Sequence, residues 1–193
     1  MGVEFELKYQ ATGEQLSWLR DRISGQEKTF SMETTYYDTE SGTLSARKYT
    51  LRRRLENGVS VCTVKAPVPG KGRGEWETVC DRIEDAIPVL CKLGGPEDLP
   101  SLTAGGVIPV CGAAFTRIAK IIETGEFTAE LALDQGKLFG GGREIPLMEV
   151  ELEFQSGDGE AMERYGAKLA AMLGLRPEKH SKFRRALALY RGE

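Results

Sequence analysis

The feature that most constrains this chain is charge at alternate positions. From Glu149 to Phe154 the sequence reads Glu-Val-Glu-Leu-Glu-Phe, with carboxylates at 149, 151 and 153 and apolar side chains between them. The N-terminal segment repeats the pattern: Val3, Phe5, Leu7 and Tyr9 alternate with Glu4, Glu6, Lys8 and Gln10. A period of two belongs to a β-strand, where residues two apart share a face about 6.6–6.8 Å from each other. Further strands are expected at roughly 33–38, 47–56, 59–66, 75–81, 115–124 and 127–134, with the last at about 146–155. Asn57-Gly58 supplies the positive φ angles of a type I′ hairpin turn, and Thr124-Gly125-Glu126 marks a second hairpin. The 23 glycines among 193 residues suit a fold with many turns.

Helices are expected at the margins of these strands. Thr12 and Gln15 form a capping box ahead of Leu16, Leu19 and Ile23, and Gly25 ends that helix. Another is expected near 82–93, weakened by Pro88, ahead of an irregular Gly/Pro stretch over 94–112. Met162, Tyr165, Leu169 and Met172 form a helical stripe ended by Gly174, and a last helix from about 178 carries Phe183, Leu187 and Tyr190. No repeat, low-complexity tract or linker interrupts the chain, so residues 1–193 are expected to form one α+β domain, mostly antiparallel.

Composition excludes several classes. Forty per cent apolar and 28 per cent charged residues suit an ordinary core, and no run approaches the ~20 apolar residues of a membrane-spanning helix. The charged N-terminal segment does not resemble a secretory signal. A net charge of −3 argues against duplex nucleic acid as a partner. Four scattered cysteines suit reduced thiols and a cytoplasmic location. His180 is the single histidine, so nucleophilic catalysis of the Ser–His or Cys–His kind is disfavoured. The loop from Ala66 to Gly74 lacks the order of a phosphate-binding Walker loop and reads as a hairpin loop, with a mobile basic lip over a cavity mouth as the alternative.

The polar half of the alternation continues through the strands. It holds Arg52 and Arg54, then Lys65 beside Val61 and Thr63, then Glu75 and Glu77, Arg117, and Glu130 and Asp134. An open antiparallel sheet with one solvated face would explain charge at alternate positions. Like charges side by side are mildly unfavourable without a role, so a functional charged cavity stands beside that explanation on equal terms. Eight strands can close into a barrel, which removes exposed edges. Charges facing inward must be paired, metal-bound or ligand-bound. Polyphosphate with Mg2+ or Mn2+ meets both sets, since Arg and Lys bind phosphate oxygens and carboxylates hold hard cations.

Several motifs occur in the order of one family. Glu4-Phe5-Glu6-Leu7-Lys8 resembles the ExExK signature of the CYTH superfamily, the triphosphate tunnel metalloenzymes. Thr35-Tyr36-Tyr37-Asp38-Thr39, Leu51-Arg52-Arg53-Arg54, Thr63-Val64-Lys65, Glu75-Trp76, the segment from Leu131 to Gly136, that from Glu149 to Glu153, and Ser181-Lys182-Phe183 resemble its later segments, in order over about residues 3–190. The likeness is greatest to the bacterial inorganic triphosphatase branch. Members of that branch often carry a histidine-rich CHAD domain, which is not expected in a sequence with one histidine.

The resemblance implies an eight-stranded antiparallel tunnel with a charged interior and helices packed outside. It implies metal binding by Glu4, Glu6, Glu149 and Glu151, supported by Asp134 and Glu130. Lys8, Arg52, Arg54, Lys65, Arg117 and Lys182 would hold phosphates, with Lys120 a rival to Arg117 on the same segment. Glu75 would serve as a cation or water ligand, with Glu77 and Glu153 open between tunnel and rim, and Lys182 on a helix that plugs or caps the tunnel. Glu4, Glu6, Lys8, Glu75, Glu149 and Glu151 form the expected catalytic set. The implied activity is metal-dependent hydrolysis of inorganic triphosphate. Thiamine triphosphatase, adenylyl cyclase and a non-catalytic polyphosphate-binding module are the alternatives. In an empty tunnel the row at 149, 151 and 153 is expected to carry partly uncompensated repulsion.

Overall fold

The computed structural model describes residues 5–69 and 73–193; Glu4 and the centre of the 66–74 loop lie outside the described residues. In chain order the elements are β1 (Glu6–Gln10), α1 (Gly13–Arg22), β2 (Glu27–Asp38), α2 (Thr43–Ala46), β3 (Thr50–Glu56), β4 (Val59–Pro67), β5 (Arg73–Val79), α3 (Ile83–Lys92), α4 (Leu99–Leu102), β6 (Ile108–Glu123), β7 (Phe127–Gly140), β8 (Arg143–Gly157), α5 (Gly159–Leu173), β9 (Arg176–Pro177) and α6 (Lys182–Arg191). All strand pairs are antiparallel, in the order β5-β4-β3-β2-β6-β7-β8-β1-β9. The ninth strand is a two-residue ladder of Pro177 and Arg176 against Tyr9 and Gln10. Among the described residues no ladder joins β5 to β9, yet the sheet curls so that side chains from both halves line one cavity. The antiparallel α+β tunnel is therefore present, curled rather than closed by backbone hydrogen bonds.

Local chemistry sets these elements. Asn57 and Gly58 have φ of 49° and 86°, the two positive values that a type I′ turn needs between β3 and β4. Thr12 caps α1 as expected: its Oγ1 accepts from Gln15 N at 3.3 Å and Gln15 Oε1 accepts from Thr12 N at 2.7 Å. Helix α3 forms even though Pro88 lies inside it. Its buried face, Ile83, Ala86, Ile87 and Leu90, packs with Leu51, Cys62 and Val64 on the outside of the sheet, and that burial outweighs one missing backbone bond.

The period of two separates two environments. Leu7, Tyr9, Leu131, Leu133, Val150 and Leu152 point outward and pack with Leu16, Leu19, Met162 and Leu169 of α1 and α5. Gly166 lets α5 approach β1 closely, since a Cβ there would come within 2.6 Å of Leu7 Cδ1. The opposite face of the same strands carries Glu6, Lys8, Asp134, Glu149 and Glu151. That inner face is itself divided. At one end Met32, Tyr36, Ala113, Phe115, Leu138 and Leu147 are apolar and pack against Ala186 and Leu187 of α6. Helix α6 thus sits inside the curl, whereas α1, α3 and α5 pack outside.

Candidate active site

Register brings the charged rows together. Strand β1 lies against β8, so Glu6 faces Glu153 and Lys8 faces Glu151. Asp134 sits between Arg117 on β6 and Glu149 on β8. On the other half of the sheet Arg52 faces Thr63, which faces Glu77, and Lys65 faces Glu75. A cavity of about 890 Å³ collects these rows. Its walls include Glu6, Lys8, Arg52, Arg54, Lys65, Glu75, Arg117, Glu151 and Lys182. Glu77 and Glu153, left open by the sequence, also line it.

Asp134 and Glu149 are fully buried directly beneath this wall. Glu130 faces Glu153 across the ladder, is half-buried, and does not line the cavity. The choice between Arg117 and Lys120 resolves cleanly. Arg117 points inward, whereas Lys120 points outward and donates to Arg20 O at 2.5 Å and Ile23 O at 3.1 Å, at the end of α1.

Three carboxylates and three bases form the deepest cluster. Lys182 Nζ lies 2.7 Å from Glu151, 2.8 Å from Asp134 and 3.2 Å from Glu149. Arg117 donates two bonds to Asp134, at 2.7 and 2.8 Å, and one to Glu151 at 2.5 Å. Arg185 donates to Glu149 at 2.6 Å and to Glu178 at 3.3 Å. The expectation of uncompensated repulsion along the carboxylate row is therefore corrected at Glu151, whose two oxygens are each held by a base. Arg185 escaped the sequence reading. It lies three residues after Lys182 on a helix, which was a usable signal, but its partner Glu149 is 36 residues away.

Electrostatics follow from this arrangement. Burial opposes the charge on Glu151, but Lys182 and Arg117 outweigh it and hold the carboxyl well below the usual carboxylate range. Burial dominates at Glu149 and, with the charges of Glu151 and Asp134, holds its carboxyl above that range despite Lys182 and Arg185. The contrast is physical: Glu149 is wholly buried and its Oε1 has no hydrogen-bond partner among the described residues. Burial also disfavours the Lys182 and Lys8 ammonium groups, yet their carboxylate neighbours raise both pKa values. Arg54 goes the other way, its pKa lowered by burial and then by the charges of Arg52 and Arg117. Arg54 is thus the base on the β3 side whose charge burial opposes, and an anion there would compensate it.

The donor chemistry fits a hard divalent cation. Glu6, Glu75, Glu77, Glu151 and Glu153 all present carboxylates to the cavity, and Glu149 Oε1 is an unsatisfied buried acceptor. Among the described residues no three such ligands stand pre-gathered, because basic side chains occupy the deep carboxylates.

The sequence matches the CYTH domain over residues 2–187. The chain belongs to the CYTH domain family. An inorganic triphosphatase of Haemophilus influenzae is 30% identical to it over 126 residues, covering 64% of this chain and 36% of that protein. The chain thus spans about a third of the length of that curated relative. Among solved structures, a Hippeastrum protein, described as a candidate adenylyl cyclase with a dominant triphosphatase activity, gives a TM-score of 0.66 at 21% identity, covering 98% of this chain and 95% of that one. A candidate adenylate cyclase of Bacillus halodurans gives 0.66 at 20% identity, covering 95% and 96%. A Pyrococcus horikoshii protein gives 0.60 at 22%, covering 93% and 96%. These likenesses place the CYTH chain in one fold with proteins from plant, bacterial and archaeal sources.

Proposed function

We propose that this CYTH domain hydrolyses inorganic triphosphate to pyrophosphate and phosphate with Mg2+ or Mn2+. The observation that carries the reading is one cavity in which Arg52, Arg54 and Lys65 from one half of the sheet meet Lys8 and Arg117 from the other half and Lys182 from α6, with carboxylates between them. Anion binding alone would favour bases only; the retained carboxylates call for a cation. The inorganic triphosphatase of Haemophilus influenzae supports the substrate class.

Phosphoryl transfer asks a protein mainly for positioning and charge stabilisation. Arg52, Arg54 and Lys65 would grip one end of the chain, and Arg117, Lys8 and Lys182 the phosphoryl group nearer the deep cluster. Glu4, Glu6, Glu149 and Glu151, supported by Asp134 and Glu130, would hold the cation, whose chemistry is neutralisation of phosphate charge and activation of water. Lys182 and Arg117 keep Glu151 ionised, so the cation would meet a carboxylate rather than an acid. Glu75 and Glu77 would orient water or cation at the β5 wall.

Organic triphosphates need an aromatic or apolar seat. Tyr36, Phe154 and Phe183 do reach the cavity, but Tyr36 and Phe183 pack on each other at 5.0 Å within the core of α6. That pairing spends their faces on structure, which favours the inorganic chain over ATP or thiamine triphosphate. A phosphate-release panel of triphosphate, pyrophosphate, ATP and thiamine triphosphate with Mg2+ or Mn2+ tests the reading. Triphosphate should be the preferred substrate; full activity in excess EDTA, or a preference for ATP, would overturn it.

A further inference from the structure

Resting on that reading, we infer that Glu75 is a displaceable stand-in for a phosphoryl group, and that it makes polyphosphate binding conditional on a divalent cation. Glu75 Oε1 accepts from Arg52 Nη2 at 3.2 Å, and Oε2 lies 3.0 Å from Lys65 Nζ. One carboxylate thus spans two phosphate-binding bases with a separate oxygen on each, as two non-bridging oxygens of a phosphoryl group would. These contacts are longer than those at 2.5–2.8 Å by which Arg117 and Lys182 hold Asp134 and Glu151. The Glu75 side chain is 27% exposed, whereas Asp134 and Glu149 are at 0%. Glu75 can therefore turn out of the pair, which the deep carboxylates cannot do.

The resting pose also leaves neighbouring polar atoms unsatisfied. Among the described residues, Arg52 Nε and Thr63 Oγ1 are buried with no hydrogen-bond partner, and the two residues face each other across the β3–β4 ladder. A single carboxylate cannot reach both of these and Lys65 as well. A phosphoryl group, with oxygens in three directions, offers separate acceptors for Arg52 Nε, Arg52 Nη2 and Lys65 Nζ together, all on residues that line the cavity. Entry of that group displaces the Glu75 carboxylate into the cavity beside a polyanion whose charge already engages the neighbouring bases, so a cation gives the carboxylate its new partner. Metal-free polyphosphate must bind against that charge. With a divalent cation present, the released carboxylate gains a partner, so anion and cation bind cooperatively.

Calorimetric titration with imidotriphosphate, whose bridging nitrogens resist hydrolysis, tests this in EDTA and in Mg2+. Glu75→Gln should bind the analogue about tenfold more tightly than the parent in EDTA, equivalent to ~1.4 kcal/mol, and should gain correspondingly less from Mg2+. Glu75→Ala should shift in the same direction, which guards against an effect peculiar to the amide. Glu77→Gln removes the same charge from the same wall and should change metal-free affinity far less. Equal tightening in the Glu75 and Glu77 variants would reduce the effect to the general field and overturn the inference, as would no tightening at Glu75. If no protein binds the analogue in either buffer, the triphosphatase reading falls first, and this inference with it.

Discussion

Glu151 carries the interior's electrostatic logic in one side chain. Its oxygens meet Lys182 at 2.7 Å and Arg117 at 2.5 Å, and those bases in turn hold Asp134. Removing one partner from a buried network leaves the others uncompensated, which costs more than the network contributed. Glu151→Gln should therefore lower stability at neutral pH by about 3 kcal/mol in urea unfolding, as well as abolishing most turnover. Because the folded pKa of Glu151 is depressed, its contribution is present above the unfolded value of about 4.3 and fades as pH falls. The stability gap between parent and variant should narrow on acidification; a gap that widens would show that Glu151 is not held as an ion. Arg54 should behave oppositely. Burial and the charges of Arg52 and Arg117 disfavour its guanidinium charge. Arg54→Ala should thus weaken triphosphate analogue binding by about 1.5–3 kcal/mol, read by calorimetry, with little loss in melting temperature.

Among the elements, β6 and α6 separate what the sequence discloses from what it withholds. Alternation places Arg117 and Ala119 on one face of β6 and Lys120 on the other, but it does not say which face is inside. The structure gives Lys120 to the last carbonyls of α1, where a positive charge also favours the helix dipole. Lys120→Met should cost about 1 kcal/mol in thermal or urea unfolding and leave turnover unchanged. Loss of activity in that variant with activity retained in Arg117→Met would reverse the assignment. The apolar stripe of α6 was legible from Phe183 and Leu187, and Lys182 was expected to face the tunnel. Its position inside the curl was not legible from periodicity, since a helical stripe reports burial and not the side of the sheet that receives it; only the family resemblance placed this helix as a plug or cap of the tunnel. Arg185 was hidden for the same reason. The rows at β1, β3, β4 and β8 could be read because strand periodicity alone assigns their charges to one face.

At the scale of the molecule, the substrate would act as a fastener. Strands β3, β4 and β5 join the rest of the sheet through β2, and among the described residues β5 has no ladder to β9 on the other side. The two halves carry complementary parts of one site: Arg52, Arg54 and Lys65 on this flap, Lys8, Glu151 and Arg117 on the remainder. A triphosphate reaching both would add bonds between halves that the backbone does not connect, and binding to the folded state alone stabilises it by mass action. Local opening of the flap exposes fewer contacts than global unfolding, so its amides should exchange faster than those of β7 and β8 in the empty protein. Hydrogen exchange with Mg2+ and imidotriphosphate should slow β4 and β5 selectively. Orthophosphate with Mg2+ should not, because one phosphate cannot span the two sets of bases. Arg117→Met should abolish the slowing in β4 and β5 even though Arg117 lies on β6. Protection confined to β6–β8, or unchanged by Arg117→Met, would mean that the ligand grips only one half and that the curl is not bridged by it.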